Sequence, residues 1–279
     1  MDAHVIIERG PHALAVAGAG ILLYMARHTP RGPEVMFVLA QEDYVDGWNQ
    51  SGCWSAFEGG RHPGETCEQT AAREFHEETM GAIDINGVRG ASRIAAMLAG
   101  GGFVTRVCIE RERSKRAHMT YLVRIPWGTP VVAMFDAARA PLQRVRELCC
   151  GVDIIADRLA AGGAGGAAPG PGSAGRMGER RDAALAALED LGPTLRSHEA
   201  VVIRKEPGSR APAALRPEYM EKRRVALVPV HEIRDALRPA RYAYARSRAS
   251  RLPLRYTFVP VIKAVLTELA SAAHASPAR

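Results

Sequence analysis

Two apolar runs near the start of the chain have the length and spacing of paired strands. His12 to Tyr24 is almost continuously apolar, which predicts a long buried strand even though glycines interrupt it. A turn containing Pro30 and Gly32 then leads to a second apolar run, Val35–Ala40. Because the polar connection is short, we expect the two strands to form a hairpin.

Further short apolar runs, bounded by turn residues, continue this strand pattern. We expect two of them to pair as an antiparallel hairpin around the charged turn Arg113–Arg116. These two are Val104–Glu112 and His118–Ile125, and the second is rich in residues that favour strands. The other predicted strands are Trp54–Phe57, Arg93–Leu98, His198–Lys205 and Val225–Val230.

The middle of the chain changes from strand spacing to helix spacing. Apolar residues recur at helical intervals from Val131 to Leu159, and Pro141 predicts a kink or a restart there. Residues 162–178 are mostly Gly, Ala and Pro, which predicts a flexible segment that does not order itself. Shorter helices are expected at Asp182–Leu191, His231–Leu237 and Tyr256–Leu269.

The segment Gly59–Gly81 combines a glycine-rich turn with an acidic helix. Thr66 and Gln69 have the spacing of a capping box, which predicts that a helix begins here. At about 100° per residue, three carboxylates of this helix fall within one arc of about 100°. They are Glu74, Glu77 and Glu78, and the neighbouring arc, which we expect to face a core, holds Ala71, Ala72, Phe75 and Thr79.

Three carboxylates so close together destabilise a helix by a few tenths of a kcal/mol per pair, roughly. A hard divalent cation such as Mg²⁺ or Mn²⁺ would convert that repulsion into binding, because such ions take oxygen ligands. The alternative is an ordinary solvated acidic face. The sequence therefore suggests a metal site on this helix.

The same segment resembles the box of the Nudix family. That pattern is Gly, five residues, Glu, seven residues, Arg-Glu, an apolar residue, any residue, Glu-Glu, any residue, Gly. The matching positions are Gly59, Glu65, Arg73, Glu74, Phe75, Glu77 and Glu78. One position departs: Met80 stands where the family has glycine, with Gly81 one place later. We expect this to lengthen the helix exit by one residue without affecting the metal site.

The resemblance implies a fold, which for this chain is an α/β/α sandwich with a mixed β-sheet. It covers roughly His12–Trp127 and Glu218–Leu269. We therefore predict a single Nudix domain over residues 1–279, with a largely helical insertion at about 128–217 that the box does not explain.

The resemblance also implies an activity. Nudix enzymes cleave a diphosphate joined to another moiety, which predicts a metal-dependent pyrophosphohydrolase acting on a nucleotide-derived substrate. We expect the three box carboxylates to hold Mg²⁺ or Mn²⁺, with the carbonyl of Gly59 as a further ligand, because a glycine lets the backbone approach closely. The family pattern also has a role for two further residues. It assigns Glu65 and Arg73 to each other, as a brace between the loop and the helix; an ordinary surface ion pair is the alternative.

Several glutamates are candidates for the general base, and the sequence does not choose among them. In several family members it comes from a loop before the last strand, a placement that fits Glu221, with Glu218 close by. Glu110 and Glu112 on the predicted hairpin compete with it, and the box carboxylates are a further alternative. His76 occupies a variable position of the box and is expected to be solvated.

Substrate recognition is expected to lie outside the box. A basic segment interleaved with tyrosines has the composition that holds a nucleotide base or single-stranded RNA, with a solvated arginine-rich loop as the equal alternative. It comprises Arg238, Arg241, Tyr242, Tyr244, Arg246, Arg248, Arg251, Arg255 and Tyr256. Within it we select Arg241 and Tyr242 as substrate-binding, together with Trp48, while Trp54 is expected to pack in the core.

The amino-acid composition indicates the class of partner and the cellular compartment. The 279 residues are 47% hydrophobic and 24% charged, with a net charge of +7, which favours polyanionic partners, either a small nucleotide or capped RNA. Five cysteines without CxxC spacing argue against a disulfide framework. The apolar run Ala13–Met25 is too short to span a bilayer and follows acidic residues, so we expect a cytoplasmic protein without membrane association. A non-catalytic Nudix-like module that binds nucleotide or RNA is the alternative function.

Overall fold

The structure is a computed structural model that describes residues 3–6, 16–30, 32–111, 116–161, 179, 183, 186–187, 198–203, 213–238 and 252–275. The chain divides into two compact units, one of residues 1–135 and 221–279 and one of residues 136–220. The predicted flexible segment, 162–178, lies outside the described residues. The assignment of 128–217 as an insertion within a single domain stays a prediction.

Most strands belong to one mixed sheet in the first unit. The strands are β1 (Ala3–Ile6), β2 (Val16–Thr29), β3 (Gly32–Glu42), β4 (Trp54–Ser55), β5 (Phe57–Gly60), β6 (Thr105–Arg111), β7 (Arg116–Arg124), β8 (Val201–Ile203), β9 (Ala213–Leu215) and β10 (Lys222–Pro229). The sheet order is β1-β6-β7-β2-β3-β10, with β5 on β2 and β4 on β3. β2 and β7 are parallel and the other pairs are antiparallel. In the second unit, β8 pairs with β9.

The helices with described bounds are α1 (Cys67–Glu78), α2 (Ala91–Ala99), α3 (Val131–Ala161), α4 (Val230–Ala236) and α5 (Val259–Ala275), with a 3-10 turn at Pro217–Met220. α3 continues through Pro141 without a break, so of the two alternatives the restart does not occur. None of the helices in the described part of the chain is long and apolar enough to cross a membrane.

Alternating side chains of the central strands cover opposite faces of the sheet. Leu22 and Tyr24 belong to a core that also contains Phe258 and Ile262, at the start of α5. Ile21 is fully buried on the other face, where α1 packs against β2 and β5. Because successive residues of a strand point to opposite sides, helices lie on both faces. The predicted α/β/α sandwich with a mixed sheet is confirmed.

The paired strands agree with the sequence pattern. β2 and β3 form the predicted hairpin, and β6 and β7 form the second one. The glycines of β2 have a packing reason: a Cβ at Gly18 or Gly20 would overlap the backbone of β5. A strand that carries glycines is weaker by itself, but here they allow the strand leading into the box to lie close.

One predicted strand is wrong. Arg93–Leu98 lies within helix α2, not in a strand. Its buried residues, Ile94, Ala95 and Leu98, have the spacing of one helix face, and alanine favours the helix further. In so short an apolar run the two periods are hard to separate, and packing against α1 decides for the helix.

Candidate active site

The start of α1 follows the sequence prediction. The Thr66 hydroxyl accepts a hydrogen bond from the Gln69 amide, and the Gln69 side chain accepts one from the Thr66 amide at 2.8 Å, so the capping box is present. Ala71 and Phe75 are fully buried. The Phe75 ring meets Phe57 of β5 edge-on, with centroids 5.1 Å apart. This contact fixes the rotation of α1 and so directs its carboxylates toward β5.

The end of α1 differs from the expected longer exit. The helix ends at Glu78, and Met80 itself takes the left-handed conformation, with φ of 55°. Its amide donates to the Glu77 carbonyl and the Gly81 amide donates to the His76 carbonyl, which is a Schellman ending. Met80 is 4% exposed, and burying its side chain offsets the left-handed strain, which costs roughly 1–2 kcal/mol.

Arg73 is the centre of what we call the outer cluster: Glu65, Arg73, Glu74 and Glu77. Its guanidinium bonds Glu65 at 2.7 and 3.2 Å and Glu77 at 2.8 Å, and lies 2.9 Å from Glu74. It also donates to the Gly60 carbonyl at 2.7 Å. The predicted pairing of Glu65 with Arg73 is therefore present, and it connects the loop after β5 to α1.

Glu65 is held ionised by this arrangement. Partial burial opposes its charge, but hydrogen bonds from Arg73, from the His62 amide and from the Thr70 hydroxyl outweigh burial and lower the pKa to about 2. A carboxylate with three kinds of donor is a fixed anchor for the loop and not a group that exchanges protons near neutral pH.

Glu74 has the opposite electrostatic environment. Its carboxylate lies against Gly59, where a Cβ would overlap it, so glycine is required for the close approach. Burial raises the Glu74 pKa to about 7, with the charges of Glu77 and Glu221 adding and Arg73 opposing. A carboxylate whose charge is this unfavourable in the protein alone would be stabilised by a nearby cation.

Beneath the outer cluster lies a second set of charges, which we call the inner network: Glu42, Ser55, Glu58, Glu78, Lys222 and Arg255. Lys222 of β10 is 1% exposed. Its ammonium lies 2.6 Å from Glu42, 3.0 Å from Glu78 and 3.1 Å from the Ser55 hydroxyl. The Ser55 hydroxyl donates in turn to Glu42 at 2.8 Å.

Glu78 is the member of the box that belongs to the inner network. One of its oxygens accepts a hydrogen bond from the Glu58 amide at 3.0 Å, and the other faces Lys222. Burial raises its pKa, and the charges of Glu42 and Glu74 add to the rise while Lys222 opposes it. Of the three box carboxylates, Glu78 is therefore the one most enclosed by protein.

Glu58 and Arg255 complete the inner network. Glu58 lies 3.1 Å from the His118 imidazole and 3.7 Å from Arg255. Burial opposes its charge, but His118, Arg255 and Lys222 outweigh burial and lower the pKa to about 2. Arg255 also lies 3.2 Å from Glu42, and its guanidinium is 5.6 Å from the centre of the Trp48 ring.

Among the candidate bases, the structure brings Glu221 to this region. Glu221 directly precedes β10, and its carbonyl accepts a hydrogen bond from the Asp43 amide at 2.6 Å. Although Glu221 is an exposed residue, desolvation by its neighbours raises the pKa of its carboxyl; Glu42 and Glu77 add to the rise, and Lys222 and Arg255 oppose it. Glu110 lies on β6 opposite Ala117, Glu218 lies in the second unit, and Glu112 is outside the described residues.

Of the three predicted substrate-binding residues, the structure describes only Trp48. Trp48 is half-buried beside Arg255, at the edge of the inner network. Trp54 is 4% exposed and packs in the core, as expected. Arg241 and Tyr242 lie outside the described residues, as does the rest of 239–251. Of the basic segment, Arg255 reaches the site, and the exposed Arg238 pairs with Asp235 on α4.

Sequence reasoning missed most of the inner network. Glu42, Ser55, Glu58 and Lys222 come from β3, β4, β5 and β10, and the neighbouring His118 comes from β7. None has a characteristic spacing to another, and Lys222 opens a basic run that resembles a solvated strand end. The one available signal was a charged residue at the edge of an otherwise apolar strand, which by itself is weak.

The residues present fit a divalent cation in chemistry, although their charges are already paired. Within the described ranges, no three His, Cys, Asp or Glu side chains are arranged as a ready metal site. Arg73 holds Glu74 and Glu77, and Lys222 holds Glu78. The all-oxygen donor set, with the pKa of both Glu74 and Glu78 raised by burial, is nevertheless of the kind that Mg²⁺ or Mn²⁺ binds.

The acidic motif that follows β5 and the mixed sheet between helices make the described fold Nudix-like. No protein-family profile and no curated protein matches the chain. Among solved structures it is similar to RenU, a Nudix hydrolase from M. smegmatis, at 20% identity and a TM-score of 0.24, over 44% of this chain and 69% of that one.

Two other solved structures are matched at a comparable level. An Ap4A hydrolase from C. elegans is 18% identical, with a TM-score of 0.24, over 40% of this chain and 68% of that one. A MutT/Nudix family protein from Listeria innocua is 16% identical, with a TM-score of 0.26, over 43% and 69%. TM-scores of this size carry no functional argument, so function follows from the residues of the site.

Proposed function

We propose that the protein is a metal-dependent Nudix-type pyrophosphohydrolase that cleaves a diphosphate linkage in a nucleotide-derived substrate. The observation that carries this proposal is the convergence of Glu65, Glu74 and Glu77 on Arg73, beside Gly59. A solvated acidic helix face would leave these carboxylates apart and exposed, whereas their side chains are only 11–19% exposed.

Glu74, Glu77, Glu78 and the carbonyl of Gly59 would hold Mg²⁺ or Mn²⁺. A bound divalent ion supplies charge neutralisation for the diphosphate and lowers the pKa of an attacking water. The contribution of the chain is to hold the carboxylates in place. Arg73 directs Glu74 and Glu77, the Glu58 amide directs Glu78, and Glu65 fixes Arg73 to the loop.

Glu221 is the proposed proton acceptor. Desolvation and the nearby charges of Glu42 and Glu77 raise its pKa against the opposing charges of Lys222 and Arg255, which is the direction that favours proton transfer at neutral pH. Its backbone position is fixed by the hydrogen bond from Asp43. The box carboxylates remain the alternative acceptors.

The decisive test is the substitution Glu77→Gln, assayed with Mn²⁺ or Mg²⁺. The panel includes nucleoside diphosphate derivatives, dinucleoside polyphosphates and capped RNA. We expect the wild type to release a phosphorylated product and Glu77→Gln to lose at least about 10²–10³-fold in turnover, a loss of the size seen when one transition-state contact is removed. Glu68→Gln is the matched control, because Glu68 lies on the same helix but bonds Tyr121.

We expect Glu68→Gln to keep wild-type turnover and Glu77→Gln to keep its fold, as judged by thermal unfolding. Retained turnover in Glu77→Gln would contradict the metal role. Absence of any product from the wild type with either ion would contradict the proposed enzyme.

A narrower proposal makes capped or otherwise 5′-modified RNA the substrate. The net charge of +7 and the placement of Trp48 against Arg255 support it, because arginine and an aromatic ring together hold phosphate and base. RNA affinity should then fall steeply as salt rises, with a linear dependence of log K on log salt concentration. Binding that does not change with salt would favour a small nucleotide.

A non-catalytic Nudix-like binding module is the second candidate. The observation in its favour is that Arg73 and Lys222 already neutralise the box carboxylates without a metal ion. Incubating protein, Mn²⁺ and each ligand of the panel separates the two: an enzyme yields cleaved product, whereas a binding module yields a complex with intact ligand.

A further inference from the structure

We propose that Lys222 is a positioning residue for the metal ligand Glu78: its buried ammonium fixes the direction of the Glu78 carboxylate so that it can bind the divalent ion. This inference rests on the proposed function, because it assigns a role within the same metal site. Seven described elements, from α2 to the 3-10 turn, separate Lys222 from the box along the chain, so no motif includes it.

Lys222 has no access to a substrate. Its side chain is 0% exposed, and it lies beneath α1 at the start of β10. A lysine that binds phosphate must present its ammonium to a cleft, whereas this ammonium is enclosed by protein groups. Its effect on the reaction must therefore pass through the side chains that it contacts.

Its three contacts determine where the ammonium lies. Glu42 at 2.6 Å, Glu78 at 3.0 Å and the Ser55 hydroxyl at 3.1 Å match the three donors of an ammonium group. Ser55 also donates to Glu42, so these two partners of Lys222 hold each other in place. A charge with all three donors engaged by buried groups has little freedom to move, and it is a rigid support.

Lys222 and the Glu58 amide fix the Glu78 carboxylate from two sides. One carboxylate oxygen faces Lys222, and the other accepts the Glu58 amide hydrogen at 3.0 Å. A carboxylate has about four acceptor positions, so each oxygen keeps one for a metal ion. Groups that orient a ligand in this way are typically worth about 10–100-fold in metal affinity.

If Lys222 acted only as a counter-charge, its removal would have the opposite effect on metal affinity. If Lys222 only neutralised the acidic cluster, it would repel an incoming dication, and its removal would tighten metal binding. If it orients Glu78, its removal weakens metal binding even though a positive charge has been lost. The sign of the change therefore separates the two roles.

The experiment measures Mn²⁺ affinity of the full-length protein by calorimetry and by the EPR signal of free Mn²⁺, without substrate. We expect Lys222→Met to bind Mn²⁺ about 10–100-fold more weakly than the wild type. Arg223→Met is the matched control, since it removes one positive charge from the exposed neighbouring position on β10. It should bind Mn²⁺ as tightly as the wild type or slightly more tightly.

Ser55→Ala keeps the result decisive if Lys222→Met does not fold. This variant removes the contact between Lys222 and the Ser55 hydroxyl, while Lys222 retains Glu42 and Glu78. We therefore expect a loss of about 3-fold in Mn²⁺ affinity. Weaker binding in whichever of the two variants is folded supports the proposal. Unchanged or tighter binding in that variant overturns it.

Glu78→Gln separates this inference from the proposed function. If the wild type does not bind Mn²⁺, or if Glu78→Gln binds it equally well, the metal site itself is wrong. If the wild type binds Mn²⁺ and Glu78→Gln weakens it, while Lys222→Met does not, only the role of Lys222 is wrong.

Discussion

The outer cluster and the inner network use the same chemistry in different surroundings. Each surrounds cationic side chains with glutamates: Arg73 in the outer cluster, Lys222 and Arg255 in the inner network. The sets differ in burial at the Lys222 pair: Lys222 and Glu78 are 0% and 1% exposed, whereas Arg73 and Glu77 are 18% and 17% exposed and Arg255 is 22% exposed. The outer members come from one short stretch of chain, and the inner members come from six separate places along it.

Because of this difference in burial, we expect the outer cluster and the inner network to have different roles. An ion pair that retains partial contact with water can rearrange at lower cost than a sealed one, so Glu77 can share its carboxylate between Arg73 and a metal ion. A sealed ion pair cannot lose one partner without leaving an uncompensated buried charge. We therefore expect the inner network to govern stability and geometry and the outer cluster to govern turnover.

The largest predicted effect on stability follows from breaking the inner network. Glu42→Ala removes the shared partner of Lys222, Ser55 and Arg255, and we expect it to lower the free energy of unfolding by about 3–5 kcal/mol. Glu77→Ala in the outer cluster should change it by less than about 1 kcal/mol. Urea unfolding of both variants in chelator measures the difference, and equal losses would contradict the division between the two sets.

An intermediate effect concerns pH and Glu74. Its folded-state pKa of about 7 lies above the ordinary value of 4.5, so the metal-free folded state binds a proton that the unfolded state has already lost between these values. The stability contribution is complete below about pH 4.5 and is lost as pH rises through about 7. Relative to Glu74→Gln, the wild type should therefore lose up to about 3 kcal/mol across this window.

The measurement is the free energy of unfolding of the wild type and Glu74→Gln at several pH values from 4.5 to 8, in chelator. Glu68→Gln serves as the control, because the Glu68 pKa is lowered and so lies outside this window. A constant difference between the wild type and Glu74→Gln across the range would show that Glu74 is not held in an unfavourable charged state.

The smallest effect tests the helix end that directly follows Glu77 and Glu78. Met80 combines a buried side chain with a left-handed backbone. Met80→Ala loses the burial and keeps the strain, whereas Met80→Gly loses the burial and relieves the strain. We expect Met80→Gly to be more stable than Met80→Ala by about 1 kcal/mol in thermal or urea unfolding. The reverse order would mean that the backbone at this position is not left-handed.

Much of the fold and of the outer cluster could be predicted because their signals are local. The hairpins, the capping box and the buried face of α1 follow from spacing within a few residues. The error at α2 has a physical reason, since the apolar run of five residues within Arg93–Leu98 fits both periods until its neighbour is known. Met80 shows a second limit: its side chain packs well enough to hold a conformation that its type rarely adopts.

The sequence by itself determined the outer cluster, because the partners of Arg73 lie 1, 4 and 8 residues away and the turn and helix bring them together. Only the tertiary structure decided the inner network. Lys222 and Glu42 are 180 residues apart and meet because β10 pairs with β3, a contact that leaves no periodic trace in the chain. By excluding water, burial turns five polar groups that are scattered along the chain into one connected support for Glu78.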